Sequence, residues 1–429
     1  MALNYQDFIN HVEERALSQR ITQLQLNKKI YSDCIDANGH QYIDIVMEGG
    51  GVLGIALLGY VYVLERVGLR FCSIGGTSAG SITALFLAAL DQPEHAKVAK
   101  LIDLVANMPM AAFVDGKKED DTDAQEFVNT MVKSDDILSF WNFVKGCQVI
   151  DNFKEMMGLN RGEVFHRWVK EHLNHLGVPT TQALKNRMST TPAGWTLRDN
   201  PFKARQQLSP LNPANNYLCL VASDVSTESR ALFPKMAALY WENPENVHPA
   251  DYARCSMSIP GFFKPVKIPA MPFSDARKEH WRAYLNEATL TSDQFPPDHF
   301  VLVDGGMVSN FPIDVFHNHH AIPSRPTFGV KLQLDIFSHN INNGFDLISR
   351  IIDTARHTLD KEFINNNPDF SRLISYIDTK NINWLDFSMS DETKLLLFQM
   401  GVDTAIDFLH TFDWHKYKEI RSKKLDSSL

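Results

Sequence analysis

The chain has 429 residues, of which 44% are apolar, 10% aromatic and 22% charged, enough for one large core with appended segments. Its net charge of −9 argues against nucleic acid as a partner and against a broadly basic membrane face. No apolar run approaches the roughly 18–20 residues a membrane span requires, and residues 1–29 carry early charges without an apolar signal core, so a cytoplasmic protein is expected.

Near the N-terminus, Tyr5, Phe8, Ile9, Val12, Leu17, Ile21 and Leu24 recur at the spacing of one amphipathic helix. Residues 42–47 predict a strand that runs into Gly49-Gly50-Gly51-Val52-Leu53-Gly54, and Ile55, Leu58, Val61, Tyr62 and Glu65 follow at helical spacing. The glycines therefore make a tight turn from strand to helix, with backbone N–H groups open to a ligand. Gly49, Gly51 and Gly54 also satisfy G-x-G-x-x-G, the dinucleotide fingerprint. That reading wants an Asp or Glu at the end of the second strand to hold a ribose, and the chain has none there.

The second strand, residues 69–75, leads into Gly76-Thr77-Ser78-Ala79-Gly80, and residues 81–90 are apolar all round, as in a helix buried at a domain centre. G-x-S-x-G between strand and buried helix is a nucleophile elbow, with Ser78 at a helix N-terminus that favours negative charge. Acyl transfer builds that charge on a carbonyl oxygen. Each backbone donor from the first glycine turn can stabilise it by about 3–4 kcal/mol.

Residues 91–216 form a mostly helical insertion between two sheet strands. A lid over an apolar acyl route is one reading, and packing of Phe140, Trp141, Phe143 and Val144 onto the core is the other. Acidic residues 115–123 are expected to form a surface loop without a specific role. Residues 217–222 and 327–332 are candidate strands. Between them, residues 300–304 make an apolar strand that delivers Asp304 into the turn Gly305-Gly306, and Asn310-Phe311-Pro312-Ile313 is expected to start a helix. Asp304 is either a base for Ser78 or a simple turn former. His317, His319 and His320 complete the chain order Ser, Asp, His, but a cluster at a helix end is also a C-terminal cap.

Residues 345–363 and 391–412 predict helices that pack against the sheet. Residues 414–424 alternate cations with aromatic and apolar groups, read either as a solvated terminal helix or as an anchor for an anionic bilayer. Five scattered cysteines, Cys34, Cys72, Cys147, Cys219 and Cys255, suit reduced thiols, and no Cys/His spacing suggests a metal. No cofactor is expected.

The three motifs, Gly49–Gly54, Gly76–Gly80 and Asp304–Gly306, occur in the order that marks patatin-like phospholipases, which the chain resembles over roughly residues 42–335. Residues 253–266 resemble the block that usually precedes the Asp turn, and residues 159–184 more loosely resemble the family's middle helical region. The resemblance implies an α/β three-layer sandwich, with a largely parallel sheet and helices on both faces. It divides the chain into an N-terminal helical segment (1–40), a catalytic domain (41–335, with the 91–216 insertion) and a C-terminal helical region (336–429).

It also implies a Ser-Asp dyad without histidine: Ser78 as nucleophile, Asp304 as proton acceptor, and Gly49, Gly50 and Gly51 as the oxyanion hole. Gly54, Gly76, Gly80, Gly305 and Gly306 support the motifs. The substrate is a membrane lipid or lipid ester. Family relatives include bacterial effectors and defence enzymes, so delivery as an effector, peripheral membrane contact and an unknown activator are all compatible with it. Leu53 stands where the family often has Arg or Lys, which removes a cationic contact to a phosphate head group and suits a neutral ester. A catalytically silent lipid-binding or scaffold protein on the same fold is the alternative from another functional class.

Overall fold

The computed structural model describes residues 3–115, 157–206, 216–318, 320–332, 341, 354, 357–379 and 382–427. Two helices, α1 (Tyr5–Glu14) and α2 (Leu17–Leu26), take the place of the single one predicted near the N-terminus. Ala16 between them has φ 58°, a left-handed backbone that cannot continue a right-handed helix. Phe8, Ile9, Val12, Leu17, Ile21 and Leu24 are nevertheless buried, so the apolar period marks the core-facing side of both.

The central sheet contains β1 (Gln41–Met47), β2 (Leu69–Thr77), β3 (Leu218–Asp224), β4 (Ser229–Phe233), β5 (Val266–Pro269), β6 (His299–Asp304), β7 (Thr327–Lys331) and β8 (Ile374–Tyr376). Their order is β8-β7-β1-β2-β3-β6-β5, with β4 paired to β3 and with Cys34–Ile35 and Thr196–Leu197 adding two short strands, ten in all among the described residues. The pairs from β8 through β3 are parallel. Those of β6 with β3 and β5, and of β4 with β3, are antiparallel.

Every residue of β1 and β2 is buried, as expected for parallel strands covered on both faces. The helices α3 (Ile55–Arg66) and α4 (Ala79–Ala89) make the crossovers from β1 to β2 and from β2 to β3, and all of α4 is buried. The predicted α/β layers are thus realised. The Gly49–Gly54 and Gly76–Gly80 turns sit at the C-terminal ends of the parallel strands β1 and β2, where open α/β sheets place their ligands, and the Asp304 turn ends the antiparallel β6.

Within the insertion, α5 (Val98–Ala106), α6 (Glu163–His175) and α7 (Thr181–Met188) are helical as expected. The aromatic stretch around Trp141, Cys147 and the lid expectation built on that stretch lie outside the described residues. Asp115 corrects the surface-loop reading at its own position. It is 2% exposed, and its carboxylate accepts from the N–H groups of Gly162 (3.0 Å), Glu163 (2.9 Å) and Val164 (3.2 Å), capping the start of α6. Further along, α8 (Pro249–Ser256) is a short buried helix that leads into the site.

Beyond the sheet, residues 357–366 form α9, and α10 (Asp391–Thr411) matches the predicted second helix. The two backbones of α10 and α3 meet directly. A Cβ on Gly59 would stand 1.9 Å from the Phe398 carbonyl oxygen, and one on Gly401 would stand 1.9 Å from that of Ala56.

The final helix, α11 (Trp414–Ser427), is the terminal helix expected of the tail, but it is solvated on one side only. Trp414, Tyr417, Lys418 and Arg421 are buried, Lys418 pairs with Asp33 at 2.7 Å, and Arg421 with Asp369 at 3.4 Å. Lys418, Arg421 and Lys424 thus face protein carboxylates, while Lys416 and Lys423 are exposed. Cys34, Cys72, Cys219 and Cys255 are buried free thiols. No helix among the described residues is long and apolar enough to cross a membrane.

Candidate active site

Ser78 follows β2 directly and precedes α4. Its backbone, at φ 51° and ψ −121°, occupies a region that side chains rarely enter. The turn is tight because its glycines leave room. A Cβ on Gly76 would meet the Gly80 carbonyl at 2.4 Å, and one on Gly80 would meet the Met47 carbonyl oxygen at 2.3 Å. The serine is 3% exposed. Its N–H donates to Ser256 Oγ at 3.0 Å, and its hydroxyl donates to the Met257 thioether at 3.5 Å.

The first glycine turn lies alongside this elbow. A Cβ on Gly49 would stand 3.0 Å from the Ser78 Cβ, and one on Gly54 would stand 3.1 Å from that of Ala79. Gly49 donates its N–H to the Asn310 carbonyl (3.1 Å), while Asn310 Nδ2 donates to the Gly49 carbonyl (3.1 Å). The Gly49 amide is therefore engaged with protein, which leaves Gly50 and Gly51 as the candidate oxyanion donors. Gly51 has φ 55°, and a Cβ there would fall 2.1 Å from the Trp384 carbonyl oxygen. That carbonyl accepts the Val52 N–H at 3.0 Å. Leu53, at the fifth position of the loop, is 1% exposed and belongs to the core.

Asp304 ends β6, with Ala222 of β3 opposite it, while Thr77 of β2 pairs with Val221 of β3. Ser78 and Asp304 thus flank the same strand from its two sides, at adjacent register positions. The Asp304 Oδ1 accepts the Gly306 N–H at 2.7 Å, so this carboxylate is a turn former whatever else it does. A Cβ on Gly305 would stand 2.2 Å from the Val221 carbonyl oxygen and 3.0 Å from Thr77 Cγ2. The absence of a side chain is what lets the Asp turn reach the elbow.

The block at residues 253–266 has a physical role that motif matching alone does not supply. Ser256 and Met257 contact Ser78, and the Ser258 carbonyl accepts the Asp304 N–H at 2.8 Å. Arg254, buried in turn, donates to Ser258 Oγ and to the carbonyls of Arg161 and Lys264. One short helix end therefore touches both halves of the candidate dyad.

An apolar cavity of about 30 Å³ opens beside the elbow. Gly51, Val52 and Ile55 form one wall, Ala79 and Ile82 another, with Met108, Met110, Phe113, Met257 and Phe387 around them. That volume holds about one or two waters and no acyl chain. Three methionines among the lining residues can rearrange at low cost to admit one.

His317 is not part of this site, and His319 lies outside the described residues. His317 packs edge-on against Phe363 and Phe370 in a separate cleft with Thr327, at the start of β7, whereas Ser78 follows the end of β2. Residues 310–316 form turns in place of the expected helix, so the cap reading of the cluster does not hold either. Among the described residues no cluster of three or more His, Cys, Asp or Glu could hold a metal ion.

Sequence reasoning missed Glu48, Ser256, Met257, Asp360, Trp384 and Phe387. Glu48 adjoins a motif, and Ser256 and Met257 lie inside a recognised block. The last three stand far along the chain, where no spacing signal points to them.

The family model for patatin-like phospholipases matches residues 45–317. Among curated proteins, the uncharacterized protein YqhO of Bacillus subtilis (strain 168) is 27% identical over 365 residues, covering 84% of this chain and 95% of the relative. A solved structure, that of VipD from Legionella pneumophila, aligns with a TM-score of 0.40 at 13% identity, over 90% of this chain and 70% of that one. The matched segment spans more than half of the chain and carries all three glycine motifs; the chain belongs to the patatin-like phospholipase family.

Proposed function

We propose that this protein is a lipid acyl hydrolase acting through Ser78 and Asp304. Family membership makes it a serine hydrolase of lipid esters by class. The observation that carries the specific reading is the strained serine held against the glycine turn, with the next residue, Ala79, and its hydrogen-bond partner Met257 both lining an apolar cavity.

In the proposed route the Ser78 hydroxyl attacks the ester carbonyl while its proton passes to the Asp304 carboxylate. The carbonyl oxygen becomes an oxyanion facing the N–H groups of Gly50 and Gly51 and the N-terminus of α4. Collapse expels the alcohol, which takes the proton from Asp304 and leaves an acyl group on Ser78. Water then attacks that ester, gives its proton to Asp304, and the proton returns to Ser78 as the fatty acid leaves. A carboxylate is a weak base near neutral pH, so the amides and the helix end must provide much of the stabilisation. A neutral or weakly charged head group suits the site, since Leu53 supplies no cation.

The test is labelling with a serine-reactive fluorophosphonate, together with hydrolysis of phosphatidylcholine vesicles and of a neutral monoester. Ser78→Ala is expected to abolish labelling, and both Ser78→Ala and Asp304→Asn to lower hydrolysis at least about a thousandfold. Unchanged hydrolysis by Ser78→Ala would sink the reading. A wild type that binds lipid but neither labels nor hydrolyses would favour the scaffold alternative.

A further inference from the structure

Three consecutive residues, Ser309, Asn310 and Phe311, join the three catalytic motifs. The Ser309 N–H donates to the Gly305 carbonyl (2.9 Å), tying the segment to the Asp304 turn. The Ser309 carbonyl accepts Thr77 Oγ1 (3.0 Å), one residue before the nucleophile. Asn310 exchanges two bonds with Gly49, at the head of the oxyanion loop. This segment is not helical and has no regular ladder of its own, so something else must fix it.

What fixes it is a single carboxylate from α9. Asp360 is 3% exposed. Its Oδ1 accepts the Ser309 hydroxyl at 2.8 Å and its Oδ2 accepts the Phe311 N–H at 2.7 Å, gripping the segment on both sides of Asn310. A second buried contact supports the same segment from β7. Lys331 Nζ lies 5.6 Å from the centre of the Phe311 ring and 3.7 Å from the Glu48 carboxylate, which in turn accepts the Leu332 N–H at 2.7 Å.

We propose that Asp360, a residue beyond the segment that the family model matches, is a positioning residue that sets the distance between the oxyanion loop and the nucleophile. It touches no substrate. It acts through Ser309 and Phe311, whose neighbour Asn310 holds Gly49. The inference rests on the reading of Ser78 and the glycine loop as the reacting groups. A displacement of about 1 Å at such a site costs on the order of a hundredfold in rate without weakening substrate binding.

The experiment is steady-state hydrolysis of p-nitrophenyl butyrate by the full chain, with Ser78→Ala as the reference for the reading itself. Asp360→Ala orphans two donors, and is expected to lower kcat by about ten- to a hundredfold while KM moves less than about twofold. Asp360→Asn can accept from the Phe311 N–H and donate to Ser309 Oγ, so it is expected to restore kcat to within about threefold of wild type. A folded Asp360→Ala with wild-type kcat overturns the proposal, and so does an Asn variant as impaired as the Ala variant. Should Asp360→Ala fail to fold, Ser309→Ala removes one of the two bonds and leaves the carboxylate in place. A several-fold loss of kcat at constant KM supports the clamp, and an unchanged kcat overturns it. Full activity in Ser78→Ala would instead remove the catalytic reading, an outcome distinct from a silent Asp360 beside an inactive Ser78→Ala.

Discussion

Ser78 and Asp360 carry different kinds of stored cost. The serine holds a backbone conformation worth on the order of 1–3 kcal/mol of strain, tolerated because β2 and α4 leave the connecting residue no other path. Asp360 bears an electrostatic cost. Burial pushes its carboxyl up to about 7, with the negative charge of Glu48 adding to that, against the bonds from Ser309 and Phe311 and the charge of Lys331. Arg230 on β4 also faces it, and Lys361 and Glu362 flank it on its own helix. Between about pH 4 and pH 7 the folded chain keeps a proton at Asp360 that the unfolded chain has lost, so rising pH removes stability across that window. Asp360→Asn does not titrate. Its stability relative to wild type should therefore increase from pH 5 to pH 8, by on the order of 2–4 kcal/mol, read from urea midpoints. A difference that stays constant with pH would contradict this.

At the scale of elements, the site is assembled by the ends of strands and by one return segment. β2 presents Ser78, β6 presents Asp304, and the end of α8 sets Ser256 and the following Met257 against Ser78. Residues 382–389, which follow β8, come back over the glycine turn: the Trp384 carbonyl accepts Val52, and Phe387 lines the cavity while stacking on Phe262 at 5.1 Å. Phe387 is thus placed to limit how long an acyl chain the cavity admits. Phe387→Leu should raise kcat/KM for p-nitrophenyl octanoate relative to the butyrate by at least about threefold, since each buried methylene is worth about 0.8 kcal/mol. An unchanged ratio would show that acyl chains take another route.

On the scale of the whole molecule, the C-terminal helices pack into the same body that holds the candidate site. α10 crosses α3 at glycine–backbone contacts, and α9 supplies Asp360. α11 closes the chain onto its beginning, with Lys418 paired to Asp33, which also accepts Gln206 Nε2 at 2.6 Å, and Arg421 and Lys424 on Asp369. Lys418 and Asp33 side chains are each 3% exposed, so the pair is worth little against an apolar replacement, but removing one partner strands a buried charge. Lys418→Ala should lower unfolding stability by about 3–5 kcal/mol, measured by denaturant titration. A loss under about 0.5 kcal/mol, the size of an ordinary surface substitution, would mean the pair is not a clasp.

Local pattern determined the crossover unit of this protein: apolar runs for β1, β2 and β6, a mostly apolar and wholly buried α4, and glycines at the tight turns. Those signals are short-range, because a turn that needs Gly76, Gly80 or Gly305 excludes side chains whatever lies further along the chain. Even locally there were limits, since periodicity alone did not reveal the left-handed Ala16, nor that residues 310–316 turn without forming a helix. Tertiary structure alone decided that Asp115 caps a helix 47 residues away, that Lys418 and Arg421 are buried against carboxylates, that Asp360 grips Ser309 and Phe311, and that Trp384 and Phe387 cover the glycine turn. A lone Asp or Phe carries no period or spacing. Its role arises only when the fold buries it beside groups that need a partner, and packing decides that.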